Sequence, residues 1–171
     1  MSNLFAYLSN ECLLDHWAKI FDWLFDDDRF SSEKGWSPSR IGAFAKKAKR
    51  LPFLGENTYQ YAAQKNLKIP QPNTARKSIY FIHANGSGEA KDIVRHIRNG
   101  VAHGNAQIYK TDGVIYIEIR DYSFSQKQTA YINMPLHHIE DMYAVYRNIE
   151  SAIKRENNHK RLTNTAAKAI F

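Results

Sequence analysis

The sequence predicts a mainly α-helical protein, a helical bundle with a small β-hairpin inserted between its last two helices. Three observations predict this class. Apolar residues recur at helical spacing in four segments, Ser37-Pro38 is typical of a helix start, and the pattern alternates only around a turn signal at Asp112-Gly113. At 171 residues the chain is long enough for one domain with a real core. We therefore expect a single domain over residues 1–156 and a basic, flexible tail over residues 157–171.

The first helices are predicted from apolar spacing and from a helix cap. Residues 4–27 carry apolar side chains at helical spacing and predict one amphipathic helix, which the acidic run at residues 26–28 ends. Negative charge is unfavourable at that end of a helix dipole. A loop follows, and Ser37, with Pro38 at the first helical position, predicts a second helix to about Arg50.

The middle of the chain is harder to assign. Within residues 51–73, "GENTYQYAAQKN" is compatible with a short helix, whereas "KIPQPN" predicts a loop. Residues 74–84 predict a helix that "NGSG" closes. A further helix is predicted from Glu89 to about His103, with Gly104 as its C-terminal stop.

The pattern then changes to period two. Two β-type runs joined at Asp112-Gly113 predict a hairpin, and "TAYINM" is compatible with a third strand. Asn133 and Pro135 predict the start of a last helix. Its expected core stripe comprises Leu136, Ile139, Met142, Tyr143, Tyr146, Ile149 and Ile153.

Composition narrows the class of partner. The net charge of +7 and the pI near 9.4 favour polyanions, nucleic acid first, because each neutralised phosphate releases counterions. No apolar run has the length of a membrane-spanning helix, and the N-terminus lacks the basic region of a signal peptide. Cys12 is the only cysteine, which excludes an internal disulfide. We expect a cytoplasmic protein with no membrane partner.

The stretch "RHIRNGVAHG", residues 95–104, concentrates donors and titratable groups on one helix. Arg95, Asn99 and His103 follow the spacing i, i+4, i+8 and form one row, with His96 beside it and Arg98 at its edge. The opposite side is an apolar stripe of Ala90, Ile93, Val94, Ile97 and Val101. We therefore expect the polar row to face outward.

This row suits a phosphodiester substrate. The His103 imidazole can take a proton from a ribose 2′-OH or give one to a leaving oxygen. The Arg98 guanidinium can hold the non-bridging oxygens, and Asn99 can orient either group. No carboxylate lies beside them, as a metal-dependent nuclease would need, so the residues predict RNA cleavage without a metal or other cofactor.

Four further residues are predicted to contact RNA. Arg95 and His96 are included because they share the polar side of the helix. Lys46 and Lys47 belong to the most compact basic cluster in the chain, at the end of the second helix. A solvated helix end is the alternative interpretation of that cluster, because cations suit this end of the dipole.

Spacing alone is weak support for a catalytic pair. With ten arginines and seven histidines, chance gives roughly 0.4 matches at any one spacing. Arg98 and His103 also point about 140° apart on an ideal helix. A break near Gly100 would bring them together. A twofold-related copy would also do so, because it pairs the polar rows of two helices, and the mechanism therefore predicts a homodimer.

The residues also carry a family resemblance. "IRNGVAHG" resembles the signature of the HEPN superfamily, in which an arginine, usually followed by a polar residue, precedes a histidine by four to six positions. "DIVRHIRNGVAHGN" is similar to HEPN proteins from bacterial plasmids and defence loci. The likeness covers about fifteen residues, and outside them it is one of architecture.

The resemblance implies a HEPN-like helical bundle, a homodimer and a metal-independent endoribonuclease that leaves 2′,3′-cyclic phosphate and 5′-hydroxyl ends. It assigns phosphate binding to Arg98, the polar neighbour to Asn99 and acid/base chemistry to His103. It also implies a toxin or anti-phage effector that acts on tRNA or mRNA and has an antitoxin or regulatory partner.

Two departures keep an alternative open. HEPN toxins silenced by a nucleotidyltransferase often carry a tyrosine two residues after the histidine, where this chain has Asn105. Some HEPN relatives are non-catalytic binding or dimerisation modules. The alternative function is therefore a non-catalytic HEPN-fold module that binds RNA or nucleotides or mediates dimerisation, as an antitoxin-like or regulatory partner. In the plainest interpretation, His103 caps a helix and Arg98 makes surface ion pairs.

Overall fold

A computed structural model describes residues 2–50, 58–62, 79–83 and 88–168. Within these ranges the chain forms, in order, β1 (Ser2–Asn3), α1 (Leu4–Asn10), α2 (Leu14–Phe25), α3 (Pro38–Arg50), β2 (Thr58–Ala62), β3 (Ile79–His83), α4 (Glu89–Ala102), β4 (Ala106–Thr111), β5 (Val114–Tyr122), β6 (Gln128–Pro135) and α5 (His137–Lys168). No helix in this part of the chain is long and apolar enough to cross a membrane.

The predicted hairpin is the centre of a larger sheet. Strands β4 and β5 pair antiparallel and turn at Asp112 and Gly113, whose φ angles of 49° and 79° fit a type I′ turn. Strand β6 is the predicted third strand. The described sheet has the order β1-β4-β5-β6-β3-β2. The fold-class prediction is therefore confirmed in part: a helical framework and the hairpin are present, and the sheet is larger than predicted.

Two segments that were predicted as helices form strands β2 and β3 instead. Residues 58–62, inside the suggested short helix, form β2, and residues 79–83, inside the helix predicted over 74–84, form β3. Strand β3 pairs antiparallel with β6, and β2 lies parallel to β3. A short apolar run fits a buried helix or a strand equally well, and here pairing with β6 decides the outcome. The predicted loop "KIPQPN" lies outside the described residues.

The helix predicted over residues 4–27 is two helices, α1 and α2. The chain turns between them at Cys12, whose φ of 55° is incompatible with a continuous right-handed helix. The acidic run does end α2, at Phe25. The unfavourable charge there is offset by buried Arg29, whose guanidinium donates to the carbonyl oxygens of Trp23 and Leu24.

Helix α3 begins as predicted, whereas α5 does not. The Ser37 hydroxyl accepts a hydrogen bond from the Arg40 N–H at 3.4 Å, which supports the predicted cap. Asn133 and Pro135 lie in β6, so α5 starts later than expected, at His137.

The core stripe predicted for the last helix is confirmed, with Leu136 just before the start of α5. Five of its members are buried and two are partly buried: Leu136, Ile139, Met142, Tyr146 and Ile153, then Tyr143 and Ile149. Helix α5 continues to Lys168, so the segment predicted as a flexible tail over residues 157–171 is helical as far as it is described. The side chains of residues 154–164 are exposed.

Helix α4 packs directly on β5, and Gly100 sets the distance between them. The predicted apolar stripe of α4 is buried: Ala90, Ile93, Val94, Ile97 and Val101. A Cβ added at Gly100 would lie 2.2 Å from Cγ2 of Ile119 and 3.4 Å from the Arg120 carbonyl oxygen. Only glycine therefore allows the helix to lie this close to the sheet.

We expect Gly100→Ala to destabilise the protein by about 1–3 kcal/mol, because overpacking outweighs the better helix propensity of alanine. Gly42→Ala is the matched control, since a Cβ there meets nothing within 4 Å on α3. It should stabilise the protein by about 0.5–1 kcal/mol. Urea denaturation measures both, and equal effects at the two sites would contradict this packing.

A buried histidine at the start of α5 predicts acid sensitivity. His138 is 2% exposed, and burial lowers its pKa to about 4. The unfolded state, with a histidine pKa of about 6.5, binds the proton first as the pH falls. Stability should therefore be full above pH 6.5 and decline by up to about 3 kcal/mol towards pH 4. Urea denaturation of His138→Gln should show a flatter profile, and an unchanged profile would contradict the assignment.

Candidate functional site

His103 occupies a fixed point of the backbone, one residue beyond α4. The N–H of Asn105 bonds to the Gly100 carbonyl at 2.8 Å, and the N–H of Gly104 bonds to the Val101 carbonyl at 3.2 Å. With a φ of 70° at Gly104, these bonds form a Schellman motif and confirm the predicted helix stop. The His103 side chain is exposed. A rigid backbone therefore presents a solvent-accessible imidazole.

The polar side of α4 is exposed only in part. The side chains of Arg95 and Arg98 are 31% and 30% exposed, and Asn99 is intermediate. His96, predicted as an RNA contact, has no exposed surface and cannot reach RNA in this structure. The prediction for His96 is therefore wrong, because β5 covers this side of the helix and supplies a buried partner.

That partner is Asp121 of β5, which is 2% exposed. Its Oδ2 lies 2.6 Å from Nδ1 of His96, accepts from the Asn99 amide at 3.3 Å and lies 4.0 Å from Nη1 of Arg95. One carboxylate oxygen thus faces three polar residues on one side of α4. Asp121 fixes the side chain of Asn99, one of the predicted catalytic residues.

The contacts of His96 define its tautomer. Nη2 of Arg95 lies 2.8 Å from His96 Nε2, and a guanidinium can only donate hydrogen bonds. Nε2 must therefore accept, which leaves Nδ1 protonated and donating to Asp121. Burial raises the pKa of Asp121, but the hydrogen bond from His96, with help from Asn99 and Arg95, more than offsets this and holds it below the usual range.

Arg98 faces the loop between α2 and α3. Its Nη1 forms an ion pair with Oδ1 of Asp27, a residue whose side chain is 81% exposed. Arg29 lies close to Arg98. Burial, and then repulsion from the Arg98 charge, lower the pKa of Arg29. Two arginines therefore share a small region, in which the partly exposed Asp26 and the exposed Asp27 supply negative charge.

An open cavity of about 650 Å³ lies at this point, between α4 and the loop. Four cationic side chains line it, namely Arg29, Lys91, Arg95 and Arg98. Its other lining residues are acidic, small polar or apolar: Asp27, Asp28, Ser31, Ser32, Phe30, Trp36, Pro38 and Ile41. Its volume is within the range of about 300–1,000 Å³ that is typical of small-molecule sites.

Arg98 and His103 do not converge within one chain. Helix α4 is continuous through Gly100, so the break that would have brought them together is not observed. The two residues are separated by about 7.5 Å along the helix axis and about 140° around it. Arg98 lines the cavity, whereas His103 is not among its lining residues. As expected from their spacing, Arg98 and His103 of one chain therefore cannot easily contact the same phosphate.

The other predicted contacts lie apart from the cavity. Lys46 and Lys47 are exposed in the last turns of α3, and neither lines the cavity. In the described part of the chain, no three His, Cys, Asp or Glu side chains are grouped as a metal site requires.

Sequence reasoning missed Asp27, Arg29 and Asp121. Asp27 belongs to the acidic run that was interpreted only as a helix end, and the sequence holds no signal that it meets Arg98, 71 positions later. Arg29 follows the same run and carries no signal of its burial. For Asp121 there is a weak signal, because a carboxylate within an otherwise apolar strand requires a partner when that strand is buried.

A comparison with known protein families identifies the family of the chain. Residues 28–160, more than three quarters of the chain, match the model of a family described as HEPN pEK499 p136. The chain therefore belongs to this HEPN family, and the predicted resemblance is confirmed. No curated protein and no solved structure gives a significant match.

Proposed function

We propose that the chain is a metal-independent endoribonuclease that acts as a homodimer, in the setting of a toxin or an anti-phage effector. The observation that carries the proposal is the exposed His103 at a rigid helix end, with Arg98 on the same helix. Membership of a HEPN family and a net charge of +7 favour RNA as the substrate. The proposed targets are tRNA or mRNA, and an antitoxin or regulatory protein is the proposed partner.

In the proposed reaction, His103 accepts the proton of a ribose 2′-OH, whose oxygen attacks the adjacent phosphorus. The bond from phosphorus to the 5′ oxygen breaks, and a protonated histidine donates a proton to that oxygen. The products are a 2′,3′-cyclic phosphate and a 5′-hydroxyl. Arg98 stabilises the charge on the non-bridging oxygens, and Asn99, held by Asp121, lies between the two residues on the helix.

A second copy of the chain would bring an arginine and a histidine to the same phosphate. If two α4 helices meet about a twofold axis, Arg98 of one copy faces His103 of the other. Each phosphate then contacts an arginine and a histidine that a single helix holds about 140° apart. This geometry is the reason for proposing that the homodimer is the active form.

Incubation of the protein with total bacterial RNA in excess EDTA tests the proposal. We expect cutting that leaves 2′,3′-cyclic ends, which end-labelling detects, and no cutting where a single 2′-deoxyribose replaces the ribose at the cleavage site. A dimer that binds RNA and leaves it intact would instead support the non-catalytic HEPN module, which the divergence of Arg98 and His103 within one chain favours.

A further inference from the structure

The cavity beside Arg98 has the chemistry of a nucleotide site. Lys91, Arg95 and Arg98 follow one another along α4 at i, i+4 and i+7, so their side chains form one cationic edge of the cavity. Apolar side chains from the loop and the start of α3 also line the cavity: Pro38 is exposed and Ile41 partly buried, whereas Phe30 and Trp36 are buried behind them. The cationic edge suits a phosphate, and the apolar lining suits a base.

Asp27 shows how an anion binds to Arg98. Its carboxylate is bound to the Arg98 guanidinium at the edge of the cavity, although the Asp27 side chain is mostly exposed. A carboxylate and a phosphate present the same geometry to a guanidinium. Because exposed ion pairs contribute little stability, an incoming phosphate displaces this one at small cost.

We propose that the cavity binds one nucleotide of the RNA strand, with its phosphate on Arg98 in place of the Asp27 carboxylate and its base against the apolar lining. The inference rests on the proposed function, since it takes RNA as the substrate. In this assignment the Asp27 carboxylate competes with the phosphate for Arg98, and Lys91 is a further contact to the RNA strand.

Calorimetric titration of the full chain with adenosine 5′-monophosphate, inorganic phosphate and adenosine tests the assignment. We expect the mononucleotide to bind more tightly than either of its parts. Asp27→Asn should raise the affinity for the mononucleotide about fivefold, because the competing charge is removed. Asp28→Asn is the matched control, since it removes the same charge from the same cavity. It should change the affinity less than about twofold.

A second pair of variants tests the cationic edge. Lys91→Ala should weaken binding of the mononucleotide severalfold, whereas Lys110→Ala, an exposed lysine on β4, should leave it unchanged. Equal affinity for phosphate and mononucleotide would overturn the assignment and leave an anion site only. Equal gains for the two aspartate variants would also overturn it, since the effect would then come from net charge.

The titration is independent of cleavage, because a mononucleotide contains no bond for the enzyme to cut. Binding with the expected variant pattern, in a protein that leaves RNA intact, would support the nucleotide site and refute the proposed activity. Cleavage that depends on His103 in a protein that does not bind the mononucleotide would refute the nucleotide site alone.

Discussion

His103→Ala should reduce the rate of RNA cleavage by about 10²–10⁴-fold, the contribution typical of general acid–base catalysis. The fold should not change, because the His103 side chain is exposed and the hydrogen bond at this position comes from its backbone N–H, which alanine retains. Cleavage rates on a labelled RNA measure the effect, and thermal unfolding of the variant checks the fold.

The exposed His137, at the start of α5, provides the matched control. His137→Ala removes an imidazole from the surface of a different element, and we expect its cleavage rate to stay within about twofold of the wild type. If His103→Ala retained the wild-type rate, the assignment of acid–base chemistry to this residue would be wrong.

Asp121→Ala should cost about 3–5 kcal/mol of folding stability, as expected when one partner of a buried charged network is removed. The variant leaves the Nδ1–H of His96 and the amide of Asn99 without their acceptor. It also removes one of the two carboxylates that face Arg95, the other being Asp92 at 3.3 Å. Cleavage should also fall, because Asn99 is no longer held beside the catalytic residues. Urea denaturation at pH 7 measures the stability, with an unchanged m-value as the check on two-state behaviour.

Asp121→Asn separates the structural contribution from the catalytic one. It keeps an oxygen that can accept from His96 and removes only one of the two negative charges that Arg95 faces, so its loss of stability should be smaller. Asp22→Asn, at an exposed position on α2, is the control and should lie within about 0.5 kcal/mol of the wild type. A stable Asp121→Ala variant would contradict the role given to the network.

Local signals were sufficient to predict the framework of the site. The apolar stripe of α4 and the glycine that ends this helix lie within sixteen residues of sequence. The hairpin that follows is predicted by an alternating pattern and by Asp112-Gly113 alone. Each of these elements has one periodicity and one stop signal that agree. The positions of Arg98, Asn99 and His103 on one helix could therefore be predicted without the fold.

Long-range pairing decided what could not be predicted. The run at residues 79–83 is apolar enough for either element, and its antiparallel partner β6 begins 45 residues after it ends. His96 lies beside Arg95 on a helical wheel, but Asp121, 25 positions later, draws it into the interior. Sequence spacing specifies the direction of a side chain on its helix, whereas its burial depends on the element that packs there.

The most direct test of the composite site is to mix the Arg98→Ala and His103→Ala proteins, dissociate and reassociate them, and measure cleavage of RNA in EDTA. Each protein alone should be inactive. Half of the reassociated dimers combine an intact Arg98 from one copy with an intact His103 from the other, so the mixture should recover roughly a quarter of the wild-type rate. An inactive mixture, with heterodimers present, would contradict a site shared between two copies.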